Sequence, residues 1–376
     1  MIQRDELVHR IRQGLRNNPV VMLVGPRQSG KTTLARQVLP GDAPNYFDME
    51  DPVVAGLLAQ PMTTLKGLRG TVVIDEAQRE PGLFPVLRVL ADRPGKPARF
   101  LVLGSASPEL VRQASESLAG RVDIIEVRGF TTHELPDRTN ALWLRGAFPR
   151  SVLARSEAES MKWRRNFMRT FLERDLGVLG FNLSPKAMGR FWSMLAHYHG
   201  QIWNASEIAS SLGVSPPTAK AYLDVLEQTF MVRRLLPWYQ NSGKRIVKSP
   251  KVYLRDSGIL HALFGVGSMR ELLVHPKLGA SWEGFVIEEV LSAVEPHDAY
   301  FYNVHSGAEL DLLFTRQGKR IGIEVKRQDA PRMTRSMHVA LADLDLHKLF
   351  VVYPGFRRYT LDKKVECIPF AEIGSI

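Results

Sequence analysis

The run Gly25-Pro26-Arg27-Gln28-Ser29-Gly30-Lys31-Thr32-Thr33 has the residue types and spacing to hold a polyphosphate. It fits G-x-x-x-x-G-K-[ST], a phosphate-binding loop. Gly25 and Gly30 permit backbone torsions that turn successive N–H groups toward an anion. A helix beginning near Lys31 adds the positive end of its dipole. Lys31 supplies a point charge for the β- and γ-phosphates, and the Thr32 hydroxyl is placed to ligate Mg2+. ATP and Mg2+ are the ligands this chemistry calls for.

Other residues extend that chemistry. Val72-Val73-Ile74 is an apolar run ending in Asp75 and Glu76. Asp75 would hold Mg2+, and Glu76 would orient or deprotonate the attacking water. Two surface acids capping a helix are the plain alternative, which the loop upstream disfavours. Phe100–Leu103 leads into Gly104-Ser105. Ser105 either meets the γ-phosphate or the lytic water, or simply starts a turn. Arg121, in Ser117-Leu118-Ala119-Gly120-Arg121, could neutralise charge on a transferring phosphoryl group, often from a neighbouring subunit. One arginine among many carries little by itself.

The elements that must position these groups are also legible. Residues 4–16 show helical spacing. Val20–Val24 reads as a buried parallel strand running straight into the loop. Phe100–Leu103 and Val122–Val127 read as further strands. GPRQSGKTT, VVIDEAQ, LVLGSAS and SLAGR, in this order, resemble a widespread prokaryotic family of AAA-type ATPases with a C-terminal domain of formerly unknown function. The resemblance runs from residue 1 to about 370. It implies the roles given for Lys31, Thr32, Asp75 and Glu76, and adds weight to Ser105 and Arg121. The core it implies is AAA-like, with the catalytic-glutamate strand inserted in a parallel sheet.

Residues 131–180 lose the strand pattern and suggest a helical lid or connector. Arg174 there is expected in a structural salt bridge. Asn204–Leu212, the turn at Gly213-Val214-Ser215-Pro216, and a second helix carrying Ala219, Tyr222, Leu223 and Leu226 on one face resemble a helix-turn-helix. The stretch from Phe230 to Trp238 would be its wing. DNA contact, through Lys220 among others, competes here with protein contact or scaffolding. From Arg233 to Arg255 the chain carries Arg233, Arg234, Lys244, Arg245, Lys248, Lys251 and Arg255 with no acid between. Trp238, Tyr239 and Tyr253 are interleaved. Sequence-tolerant phosphate binding with aromatic stacking is one reading. A solvated basic loop paired to acids elsewhere is the other.

The last third holds a second constellation. A helix over 282–294 places Glu283 in an apolar stripe, where a carboxylate must be paired or metal-bound, and Glu288 on the solvated face. In 309–315, alternation puts Leu310, Leu312 and Phe314 on one side and Glu309, Asp311 and Leu313 on the other. After a turn at Gln317-Gly318, Gly322, Glu324 and Lys326 share a face. An Asp followed by Glu-x-Lys across a hairpin resembles the PD-(D/E)xK nuclease superfamily, without the proline of its name. That resemblance implies Mg2+ on Glu283, Asp311 and Glu324, with Lys326 steadying the water or the transition state. Such domains also persist as DNA-binding or structural folds.

Composition fits a chain of several domains. The 376 residues are 44% hydrophobic and 24% charged, which excludes global disorder. No run approaches the roughly 18 apolar residues of a membrane span. MIQRDELVHR lacks a signal-peptide core, and the single cysteine, Cys367, allows no internal disulfide; a cytoplasmic, non-membrane protein is expected. The net charge of +11 favours a polyanionic partner.

The expected fold class is α/β. An AAA-like P-loop NTPase core occupies 1–135, a helical connector 136–190, a winged helix 191–265 and a small α/β nuclease-like domain 266–376. The leading expectation is an ATP-hydrolysing, DNA-associated homo-oligomer, a hexameric ring being one form, that acts as a motor. A nucleotide-controlled switch with an inert C-terminal domain, and an ATP-gated Mg2+ nuclease, are the alternatives.

Overall fold

In the computed structural model, residues 2–80, 82–95, 97–104, 108–239, 247–304 and 307–376 are described. The chain divides into two compact units. The first comprises residues 1–129 with the short stretches 177–181 and 228–230, and the second comprises the rest.

The first unit is built on five strands: β1 (Val20–Val24), β2 (Tyr46–Asp48), β3 (Thr71–Asp75), β4 (Arg99–Leu103) and β5 (Val122–Glu126). They lie in the order β2-β3-β4-β1-β5, every pair parallel. β3 is thus an inner strand, with β4 between it and β1. Alternation along the strands explains the layering. Val20, Met22, Val24, Ile74 and Phe100 join one buried cluster, with Leu83, Phe84, Leu87 and Leu90 of the helix Leu83–Ala91. Val21, Leu23, Val73 and Leu101 join the other, with Val8, Ile11 and Leu15 of Asp5–Asn17 and Leu34 of Lys31–Val38. All five residues of β1 are buried. Each such side chain contributes about 1.5–3 kcal/mol, which makes this strand a rigid platform for the loop that follows.

The second unit begins with helices. Glu157–Thr170, capped by the Ser156 side chain, passes into a π-helical turn, Phe171–Asp175. There Arg174 pairs with the buried Asp175 at 3.2 Å, the structural salt bridge expected. The helix Pro185–His197 precedes β6 (Gln201–Ile202), followed by the helices Ala205–Leu212 and Pro216–Gln228. Asn204 caps the first of that pair, and Gly213, at φ 68°, ends it. β7 (Val232–Pro237) and β8 (Lys251–Leu254) follow, with β8 between β7 and β6, antiparallel to both.

β7 also pairs in parallel with β9 (Ala299–Asn303), which extends the sheet. β10 (Glu309–Arg316), β11 (Lys319–Val325), β12 (Lys348–Tyr353), β13 (Tyr359–Asp362) and β14 (Val365–Pro369) complete the order β13-β14-β12-β11-β10-β9-β7-β8-β6. The helices Leu278–Val294 and Arg335–Asp343 belong to this part. Strict alternation in β10 does not hold. The register against β9 shifts between Leu310 and Leu313, and both side chains enter one core cluster. A bulge adds a residue and flips the facing pattern beyond it. Glu288, expected in solvent, is instead only 9% exposed and paired with Arg233 and Arg255. No helix among the described residues is long and apolar enough to cross a membrane.

Candidate functional site

The phosphate-loop residues leave β1 at the carboxyl edge of the sheet. Gly25 has φ 146°, and a Cβ there would lie 2.3 Å from the Val127 carbonyl oxygen, so only glycine fits. Gly30, at φ 95°, starts the helix Lys31–Val38 without any side-chain cap, which leaves its first amides to serve an anion. Pro26, Arg27, Gln28 and Ser29 form the loop between them, with Gln28 at φ 62°. Ser29 is fully buried, and its hydroxyl has no hydrogen-bond partner.

Lys31 Nζ donates to the carbonyls of Gly25 at 3.0 Å and Pro26 at 2.8 Å. Burial lowers its pKa to about 8, against the pull of Glu76 and Asp75. Asp75, at the end of β3, is pushed above the usual carboxylate range by burial, while hydrogen bonds from Thr32 and Tyr46 draw it back. The Tyr46 hydroxyl donates to Asp75 Oδ2 at 3.1 Å. The Glu76 amide donates to Asp75 Oδ1 at 3.0 Å, and Gln78 Nε2 donates to the Glu76 carboxylate. Glu76 itself stands at φ 56°. The Thr32–Asp75 contact, the glycine-only turn and the orphaned Ser29 hydroxyl fit a triphosphate with Mg2+, whose hard oxygen donors would be Thr32 and Asp75. Thr33 follows within the same helix.

Arg121 lies at the opposite edge of that sheet. Its carbonyl accepts from Val20 N at 3.1 Å, at the start of β1, roughly 13 Å along the strand from the loop. Its guanidinium grips Asp92 at 2.6 and 2.9 Å. Ser105 lies outside the described residues. Tyr46 was not anticipated, because nothing in β2 marks a tyrosine that reaches across to the neighbouring strand.

In the second unit, Glu283, Asp311, Glu324 and Lys326 come together, with Lys251 among them. Lys251 Nζ lies 3.5 Å from Glu283, 3.9 Å from Asp311 and in contact with Glu309. Its side chain is 4% exposed. Burial alone would lower its pKa, but Glu283, Asp311 and Glu309 outweigh that and raise it. Tyr253 donates to Glu283 at 2.6 Å. Lys326 donates to Glu324 at 2.6 Å, and the Val325 amide donates to Asp311 at 2.8 Å. Burial and Asp311 push Glu324 up to about 8, while its Oε2 has no hydrogen-bond partner. Burial and Asp311 raise Glu283 to about 7. Among the described residues, no group of three or more His, Cys, Asp or Glu is arranged to hold a metal ion. These carboxylates do not fit Mg2+, because an ammonium already stands among three of them.

In the basic stretch, Arg233, Arg234, Lys251 and Arg255 are paired with acids of the same unit. Lys251 is buried in that cluster rather than offered to phosphate. Arg233 and Arg255 pair with Glu288, and Arg234 with Asp224 and Glu227. Tyr253 is fully buried, and Trp238 packs edge-on against Tyr300; neither is free to stack on a base. Lys220 and Lys248 are exposed, as is Tyr239. Lys244 and Arg245 lie outside the described residues. Sequence reasoning missed Lys251, Tyr253 and Glu309 as members of the cluster. Lys251 and Tyr253, two apart on β8, share a face, but no sequence signal shows that this face meets the acids.

Residues 17–136 match a family model described as an AAA domain. Residues 137–270 and 278–373 match two domains of unknown function, DUF8612 and DUF4143. The uncharacterized proteins Rv2008c of Mycobacterium tuberculosis and Mb2031c of Mycobacterium bovis are each 50% identical over 374 residues, spanning 99% of this chain and 85% of each relative. In fold, the chain is similar to the Walker-type ATPase PABY2304 of Pyrococcus abyssi, with a TM-score of 0.50, 16% identity, and 70% of this chain and 96% of that one covered. The chain belongs to one family with the two mycobacterial proteins, and its residues 17–136 form an AAA-type P-loop ATPase domain.

Proposed function

We propose that the protein hydrolyses ATP at the loop of Gly25–Thr33 and uses that turnover on or with DNA. The observation that carries the first part is the meeting of Thr32, Asp75 and Glu76 where β1 and β3 end. Thr32 and Asp75 would hold Mg2+ there, and the ion would supply neutralisation of the triphosphate charge. Lys31 holds the phosphates, the loop amides orient them, and Glu76 is the base that takes a proton from water. Arg121, too far along the sheet to serve its own loop, would act on the nucleotide of a neighbouring copy. The working form is then an oligomer, and light scattering that finds only monomers with and without ATP would remove Arg121 from the site.

The DNA part is supported by the +11 net charge and by the array of helix, strand, two helices and hairpin over 185–254. Read as a winged helix, that array presents the exposed Lys220 on its second helix. ATP turnover stimulated by duplex DNA supports this reading; turnover unchanged across duplex, single-stranded and branched DNA sinks it.

A second reading is a nucleotide-controlled switch whose C-terminal part is an inert interaction module. Its support is specific: Arg233, Arg234, Lys251 and Arg255 are spent on internal acids. Lys251 also stands beside Glu283 and Asp311, two of the acids a nuclease would give to metal. This reading expects slow turnover, no cleavage of DNA and no stimulation by it.

A further inference from the structure

We infer that Lys251 is a built-in counter-ion that keeps the carboxylate cluster of the second unit closed to divalent metal. The inference is independent of the ATPase reading.

Lys251 opens β8, which is flanked on both sides. Its backbone is in register with Leu235 of β7 and Ile202 of β6. A residue on an inner strand cannot swing away without breaking two ladders, so the point from which its side chain extends is held in place. The i, i+2 alternation sets Tyr253 beside it, and the two deliver an ammonium and a hydroxyl to the same carboxylate, Glu283.

The charge count shows what the ammonium does. Glu283, Glu309, Asp311 and Glu324 face one another, with Lys251 and Lys326 among them. Lys326 is taken by Glu324 Oε1. Among the described residues, Lys251 bridges the other three acids. The ring of Phe301 lies 5.6 Å from its Nζ and adds a cation–π contact. Glu324 is 5% exposed, and its second oxygen has no hydrogen-bond partner, so the cluster retains an unused acceptor. A divalent ion needs several such oxygens at once and tolerates no ammonium among its ligands. Removing the ammonium without removing its bulk should therefore uncover a cation site.

The probe is Mn2+ alone, titrated into the full-length chain without nucleotide and followed by electron paramagnetic resonance. All proteins carry Asp75→Asn to remove the carboxylate of the first unit. The parent should bind no Mn2+ at micromolar concentrations. Lys251→Met should bind one Mn2+ per chain at least about tenfold more tightly than the parent, and Asp311→Asn should abolish that gain. Should Lys251→Met fail to fold, the double variant Lys251→Met/Glu283→Gln relieves the repulsion and takes its place in the same comparison. Stoichiometric Mn2+ in the parent that Asp311→Asn removes would overturn the inference. So would a folded Lys251 variant whose Mn2+ affinity equals that of the parent.

Discussion

Two buried lysines, one in each unit, show how surroundings decide what a cation is for. Lys31 is held by backbone carbonyls, and desolvation brings its pKa down to about 8. Lys251 is just as deep but lies among carboxylates, and its pKa is raised. Dipoles position the first without cancelling its charge, so it retains an appetite for phosphate. Full charges cancel the second, which leaves it nothing to offer a ligand. A lysine in an acid-lined pocket is therefore not by itself a sign of catalysis.

The comparison can be broken at its ends. Lys31→Ala should lower ATP affinity and turnover by at least about a hundredfold, while urea unfolding of the second unit stays unchanged. Unaltered ATP affinity would take the phosphate role from Lys31. Lys251→Ala should do the reverse. It leaves buried carboxylates without their cation and costs about 3–5 kcal/mol in urea unfolding, with ATP affinity preserved. A variant as stable as the parent would show that the cluster does not depend on Lys251.

A smaller effect is expected with pH. Folded Glu324 keeps its proton up to about 8, against an ordinary 4.5, and Glu283 keeps its own up to about 7. Between those values the folded state binds more protons than the unfolded one. The stability from these groups is thus full at low pH, falls as pH rises through the window, and levels off above about pH 8. Melting curves of Glu324→Gln from about pH 5 to about pH 8 should be flatter than those of the parent. Parallel curves would mean that Glu324 is ionised throughout. The smallest change is expected from Lys220→Ala, which should weaken duplex binding slightly and lower the slope of log affinity against log salt by about one. An unchanged slope would place Lys220 off the DNA.

The first unit was far more legible in the sequence than the second. Its loop, acids and apolar strands are local signals: Gly25 to Thr33 is one continuous run, and Asp75 simply ends β3 (Thr71–Asp75). Tyr46 escaped because its contact crosses to a neighbouring strand. In the second unit the helices and strands stood close to where periodicity put them, but charge pairing did not. The acid-free run from Arg233 to Arg255 looked like surface, because its partners Asp224, Glu227, Glu283, Glu288, Glu309 and Asp311 all lie outside it. Facing patterns fail the same way at the Leu310–Leu313 shift, where a bulge depends on the partner strand.

The central claim is tested most directly on Glu76→Gln. Mg·ATP binding by calorimetry and phosphate release should be measured on the same preparation, beside the parent. Affinity within about threefold of the parent, together with turnover slowed at least about a hundredfold, is the expected result. Phosphate release at the parent's rate, or a parent that binds no ATP at all, would contradict it.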